Sequence, residues 1–120
     1  MRAEIKSWYV EESEDLSTYE IDAPACFGYS LTFAVGPVNE NGEDYFEVFV
    51  ASASYLAQRD STQSPAFLRH IILAPDYNIP AAVALVEKYL SSLKENTWVE
   101  LATKINRVIH WEFEDYKIAE

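Results

Sequence analysis

Cys26, His70 and Asp76 supply the three residue types of a thiol nucleophile, its base and the acid that orients that base. Their surroundings argue against that use. Cys26 opens an apolar stretch, where a thiol is usually a small buried hydrophobe. His70 is flanked by Arg69 and Ile71 on a predicted strand and reads as a satisfied structural side chain. Metal chemistry fares no better. His110 is followed by Trp111 and Glu112 with no second histidine at helical spacing, so the H-E-x-x-H pattern is absent. Glu112, Glu114 and Asp115 lie close together but lack the glycine and the alternating oxygens of a calcium loop. Gly28, Gly36 and Gly42 are the only glycines, so neither phosphate-cradling loop can be written from this chain. Abundant acids leave a carboxylate pair for glycoside cleavage on paper, without any special setting for it. The expectation is no catalytic residue, no metal and no cofactor.

Acid dominates the remaining chemistry. Among 120 residues the formal charge is −11. Residues 1–60 carry twelve acids and three bases, and residues 61–120 carry eight and six. Between Ser7 and Gln58 there is no Lys or Arg, yet there are ten acids. Such a field repels nucleic acid and anionic membrane and attracts a basic partner, although acid also simply aids solubility. Two constellations stand out. One is the acid-rich first half, with Glu40, Glu43, Asp44 and Glu47 around a turn and Glu11, Glu12, Glu14 and Asp15 upstream. The other is Trp111-Glu112-Phe113-Glu114-Asp115-Tyr116, where the rings can close the core while the acids stay at the surface. Extended, it would put Trp111, Phe113 and Asp115 on one face.

The elements that must position these groups follow from periodicity. Residues 2–10 read as a strand, with Ala3, Ile5, Ser7 and Tyr9 on one face and Arg2, Glu4, Lys6 and Trp8 on the other. Glu11 to Asp15 predicts a solvated loop by self-repulsion, continued by Asp22-Ala23-Pro24. Phe27, Tyr29, Leu31, Phe33 and Val35 alternate with small or polar residues, the signature of a strand half buried against helices. Gly36-Pro37 stops it, Asn41-Gly42 predicts a turn, and Asp44–Ala51 returns with Phe46, Val48 and Val50 inward. Residues 27–51 are thus a β-hairpin with an acidic tip. Ser52–Arg59 predicts a short helix, 61–65 a polar loop, and Phe67–Leu73 a strand.

Two helices follow. Asn78 or Asp76 caps the first, with Pro80 in its first turn and Ile79, Val83, Val86, Leu90 and Leu93 along one face. Thr97 and Glu100 form a capping box for the second, lined inside by Trp98, Leu101, Ala102, Ile105 and Ile109. Strands first and helices last predict one α+β domain: an antiparallel sheet with a central β-hairpin, covered on one face by two C-terminal helices. The 49% hydrophobic and 14% aromatic content excludes a disordered chain. A domain of this size buries roughly 65% of its unfolded surface, enough for a core without staples. A single cysteine points to a reducing compartment. The N-terminal residues show no apolar secretory segment and no stretch reaches membrane-spanning length, so the expected location is cytoplasmic.

The sequence resembles Immunity protein 8 of bacterial polymorphic toxin systems. The resemblance runs through Ala3-Glu4-Ile5-Lys6-Ser7, Phe27 to Pro37, Gly42-Glu43-Asp44, Phe46-Glu47-Val48-Phe49-Val50, Tyr55-Leu56, Trp98 and the terminal Trp111-Glu112-Phe113-Glu114-Asp115-Tyr116. The last hexapeptide is its most specific piece. Tyr55 departs from the usual Trp, and Ala51-Ser52-Ala53 stands where a Cys and a Pro are common. The resemblance implies an inhibitor, not an enzyme, that binds a cognate toxin effector domain in the cytoplasm of the toxin producer. Charge places the expected contact on Glu40, Glu43, Asp44 and Glu47, and the motif adds Glu112, Glu114 and Asp115. A basic, nuclease-like toxin surface would suit such carboxylates. The residues by themselves also fit an acidic mimic of nucleic acid, an adaptor, or a small hydrolase using Cys26 or paired carboxylates.

Overall fold

Tyr29, Leu31, Phe33 and Val35 point to one side of a strand and are fully buried, and this stripe organises everything around it. In the computed structural model, which describes residues 1–12, 26–59 and 65–115, they lie on β2 (Gly28–Pro37). β3 (Asp44–Ala51) pairs with it antiparallel, setting Phe46 opposite Phe33, Val48 opposite Leu31 and Val50 opposite Tyr29. Burying each such side chain contributes about 1.5–3 kcal/mol, so a one-residue slip that turned the stripe outward would be prohibitive. The hairpin connection needs left-handed backbone: Asn39 has φ 65° and Gly42 φ 103°. A β-carbon on Gly36 would collide with the Gly42 carbonyl oxygen.

β1 (Ala3–Glu12) pairs antiparallel with β2 and runs two residues further than its sequence suggests. Glu11 and Glu12 therefore belong to the strand, not to the loop. A register shift between Ile5 and Ser7 leaves Lys6 as an extra residue. The bulge reverses the expected alternation beyond it. Trp8 and Val10 oppose Phe33 and Leu31 and share the core face with Ala3 and Ile5, whereas Ser7, Tyr9 and Glu11 face the other way. The expected loop acids Glu14 and Asp15, the Asp22-Ala23-Pro24 segment, residues 61–64 and Tyr116 lie outside the described residues.

The outer edge of β3 is divided. β5 (His110–Trp111) pairs antiparallel with Phe46–Glu47, and β4 (Ile71–Leu73) pairs parallel with Phe49–Ala51. The sheet is therefore mixed at that edge, with strand order β1-β2-β3-β4. A parallel neighbour needs a long crossover, and residues 52–70, containing α1 (Ala53–Arg59), supply it. β4 is shorter than the apolar run around it. Phe67 and Leu68 are exposed rather than paired.

α2 (Ile79–Ser91) and α3 (Trp98–Ile105) cover the core face, burying Ala82, Val83, Val86 and Leu90 from one and Leu101, Ala102 and Ile105 from the other. Asn78, not Asp76, caps α2: its Oδ1 accepts the Ala81 N–H at 3.1 Å. Thr97 Oγ1 accepts the Glu100 N–H at 3.2 Å, and its hydroxyl donates to Glu100 Oε1 at 3.0 Å, so the box closes through the hydroxyl. Ile109 is buried beyond the end of α3, in the turn leading to β5.

Candidate functional site

Because α2 and α3 take one face of the sheet, every second residue of the strands is left on the opposite face. Cross-strand register arranges these residues in rows. Tyr9 lies opposite Thr32, Thr32 opposite Glu47, and Glu47 opposite His110. One row away, Ser7 opposes Ala34 and Ala34 opposes Tyr45, whose carbonyl accepts the Glu112 N–H at 3.0 Å. On the other side Glu11 opposes Ser30 and Ser30 opposes Phe49. The floor residues Thr32 and Ala34 are short and buried, while Tyr9 and Tyr45 stand 58% and 49% exposed above them. Tyr9, Thr32, Tyr45, Glu47, His110 and Glu112 enclose a shallow depression of about 440 Å³.

Among the described residues, α1 closes one end of this face. Tyr55 packs on Phe49 with ring centroids 5.6 Å apart, and Cys26, Ala51 and Tyr55 form a small buried cluster there. Cys26 is 1% exposed, and the Arg59 guanidinium lies 5.2 Å from the Phe49 ring centre. The His70 ring binds a main-chain carbonyl instead: Nε2 donates to Asn106 O at 2.6 Å. Cys26 thus packs in an apolar cluster, while His70 is anchored to the main chain through its Nε2.

The acids singled out by sequence separate into different environments. Glu47 is exposed on the open face, and Glu112 joins it there, its carboxylate accepting the Tyr45 N–H. Glu11 shares that face one row away. Glu40 and Glu43 are exposed on the hairpin connection. Asp44 is half-buried and accepts from two indoles, Trp98 Nε1 at 2.7 Å and Trp111 Nε1 at 3.0 Å, so it clamps the hairpin to α3 and β5. Glu114 is also engaged. Its Oε1 accepts from Asn106 Nδ2 at 2.9 Å and pairs with Arg69, and its Oε2 lies 3.0 Å from His110 Nδ1. The Asn106 hydrogen bond first, and the Arg69 guanidinium after it, hold the Glu114 carboxyl below the usual carboxylate range. Asp115 is exposed, with φ 59°.

The terminal segment is not extended beyond Trp111. The Glu114 N–H donates to Trp111 O at 2.9 Å, which turns residues 112–115 back. Trp111 packs on Phe46, ring centroids 6.4 Å apart and 14° from parallel, whereas Phe113 is 38% exposed. Sequence reasoning missed Tyr9 and Tyr45. The signal for Tyr45 was present, since Phe46, Val48 and Val50 inward put Tyr45 and Glu47 outward; the bulge at Lys6 concealed Tyr9.

A second recess, about 570 Å³ and mainly apolar, lies at the free edge of β4 between Leu68, Ile72, Leu85, Tyr89 and Val108.

The family model described as Immunity protein 8 matches residues 3–116. No curated protein and no solved structure matches the chain.

Proposed function

The chain belongs to the Immunity protein 8 family, and on that premise we propose that it neutralises a cognate toxin effector domain by laying its open sheet face over a basic surface of that domain. The sheet face opposite α2 and α3, with two exposed tyrosines above a floor of small residues and acids around them, carries this reading. Tyrosines are favoured anchors because they bury large area at low entropic cost while keeping a polar tip. Thr32 and Ala34 leave room for partner side chains between Tyr9 and Tyr45. Glu11, Glu47 and Glu112 supply negative potential, and the stretch from Ser7 to Gln58 holds no base to offset it. Such a field speeds encounter with a cationic surface and fixes orientation, while desolvated rings hold the complex. A nuclease, whose substrate channel must attract phosphates, presents that kind of surface.

The complex would form in the cytoplasm of the toxin producer. Among the described residues no helix is long and apolar enough to cross a membrane.

Co-expression with the toxin domain encoded beside this chain is the direct test. Rescue of growth and a stoichiometric complex that Tyr45→Ala weakens would support the reading. An unrestrained toxin would reject the function. A complex insensitive to Tyr9→Ala and Tyr45→Ala but disrupted by Leu85→Asp would move the contact to the apolar recess.

A further inference from the structure

The division of β3's edge brings two distant histidines together. His70 precedes β4, its carbonyl accepting the Phe49 N–H at 3.1 Å, and His110 opens β5 opposite Glu47. Their ring centroids are 5.3 Å apart. The turn after Trp111 then returns Glu114 to the same place, Oε2 at 3.0 Å from His110 Nδ1. One donor atom from each of His70, His110 and Glu114 lies within 4.8 Å of the other two.

We propose that these three side chains bind a divalent transition-metal ion of the zinc class, leaving a fourth coordination position open. Two imidazoles and one carboxylate are a donor set that suits zinc and its neighbours, whereas calcium and magnesium demand oxygen.

The groups behind the ligands are arranged as such a site requires. His70 Nε2 faces a carbonyl, which can only accept, so that nitrogen carries the proton and Nδ1 keeps its lone pair. Asn106 supplies that carbonyl and also donates Nδ2 to Glu114 Oε1, beside Arg69, leaving Oε2 as the oxygen turned toward His110. Asn106 Oδ1 in turn accepts the Trp111 N–H at 2.8 Å. One residue at the C-cap of α3 thus orients two ligands and the strand that carries the third. His70 holds left-handed backbone, φ 58°, an uncommon conformation for a residue with a side chain and one that clusters at functional sites. The His110 side chain is 48% exposed, so it can turn the short distance that metal bonds of about 2.0–2.2 Å require, and the open position meets solvent.

The test uses the full chain freed of metal with chelator. Isothermal titration with zinc chloride should show one equivalent bound, with a rise in the thermal midpoint. Proton NMR should show both imidazoles perturbed at that stoichiometry. His110→Ala, at an exposed side chain, and Glu114→Gln should each weaken zinc binding about tenfold or more, and Cys26→Ser should leave it unchanged. Co²⁺ should give an absorption spectrum without a thiolate charge-transfer band. Absence of a one-equivalent site, zinc affinity unaltered by His110→Ala, loss of binding in Cys26→Ser, or imidazole signals indifferent to zinc would each overturn the assignment. The ring signals of the unmutated chain decide the matter even where a variant fails to fold.

Discussion

Asp44 accepts from the indoles of Trp98 and Trp111, while its neighbour Glu43 is exposed on the hairpin connection. A hydrogen bond to a charged group is worth about 1.5–3 kcal/mol. Asp44→Ala should therefore lower unfolding free energy by roughly 2–4 kcal/mol in urea, whereas Glu43→Ala should stay within about 0.5 kcal/mol. Charge reversal at Asp44 would confound folding with binding, so the electrostatic test of the hairpin belongs to Glu43 and Glu47. Tyr29 offers the opposite case. It is fully buried, and its hydroxyl has no hydrogen-bond partner among the described residues. Tyr29→Phe should raise the thermal midpoint, with a gain on the order of 1 kcal/mol. Burial also pushes its phenol above the ordinary value of 10.0. The unfolded chain then loses that proton first on alkalinisation, so the stabilisation is full below pH 10.0 and is lost as pH climbs through the raised folded value. Alkaline unfolding of Tyr29→Phe should show a shallower decline than the parent chain.

β2 and β3 are written plainly in the sequence, because period-two alternation and the Asn-Gly pair are local signals. β1 is legible in place but not in facing, since one extra residue at Lys6 reverses all later parity. β4 is overextended on paper because its length is decided by competition. β5 occupies β3 at Phe46–Glu47, and only Phe49–Ala51 remains for Ile71–Leu73. The helix starts are local again. Asn78→Ala and Thr97→Ala each remove the acceptor for an N-terminal amide of α2 or α3 and should cost about 1 kcal/mol, measured by thermal or urea unfolding.

Among the described residues, α2 and α3 cover one face of the sheet and α1 covers one end of the other. On the proposed binding mode, Tyr9→Ala and Tyr45→Ala should each weaken the toxin complex at least about tenfold, or roughly 1.4 kcal/mol, with little change in the thermal midpoint. Glu47→Lys should slow association and flatten its salt dependence while dissociation changes less. Stopped-flow mixing at two ionic strengths separates the two effects, and association rates untouched by Glu47→Lys would remove the open face from the steering role.

The amino-acid order alone determined the α+β class, the central hairpin, the approximate helix starts and the acid-rich first half, because each rests on local pattern or composition. It also carried the family resemblance that a family model matching residues 3–116 bears out. Which acids are free was decided by tertiary contact. Asp44 and Glu114 are held by Trp98, Trp111, Asn106 and Arg69, donors that include residues dozens of positions away in the chain. The meeting of His70 with His110 was decided the same way, by two strands sharing one edge of β3. Local pattern sets what an element is. Only packing sets which side chains it brings together, because hydrogen-bond donors and acceptors find partners across the fold rather than along the chain.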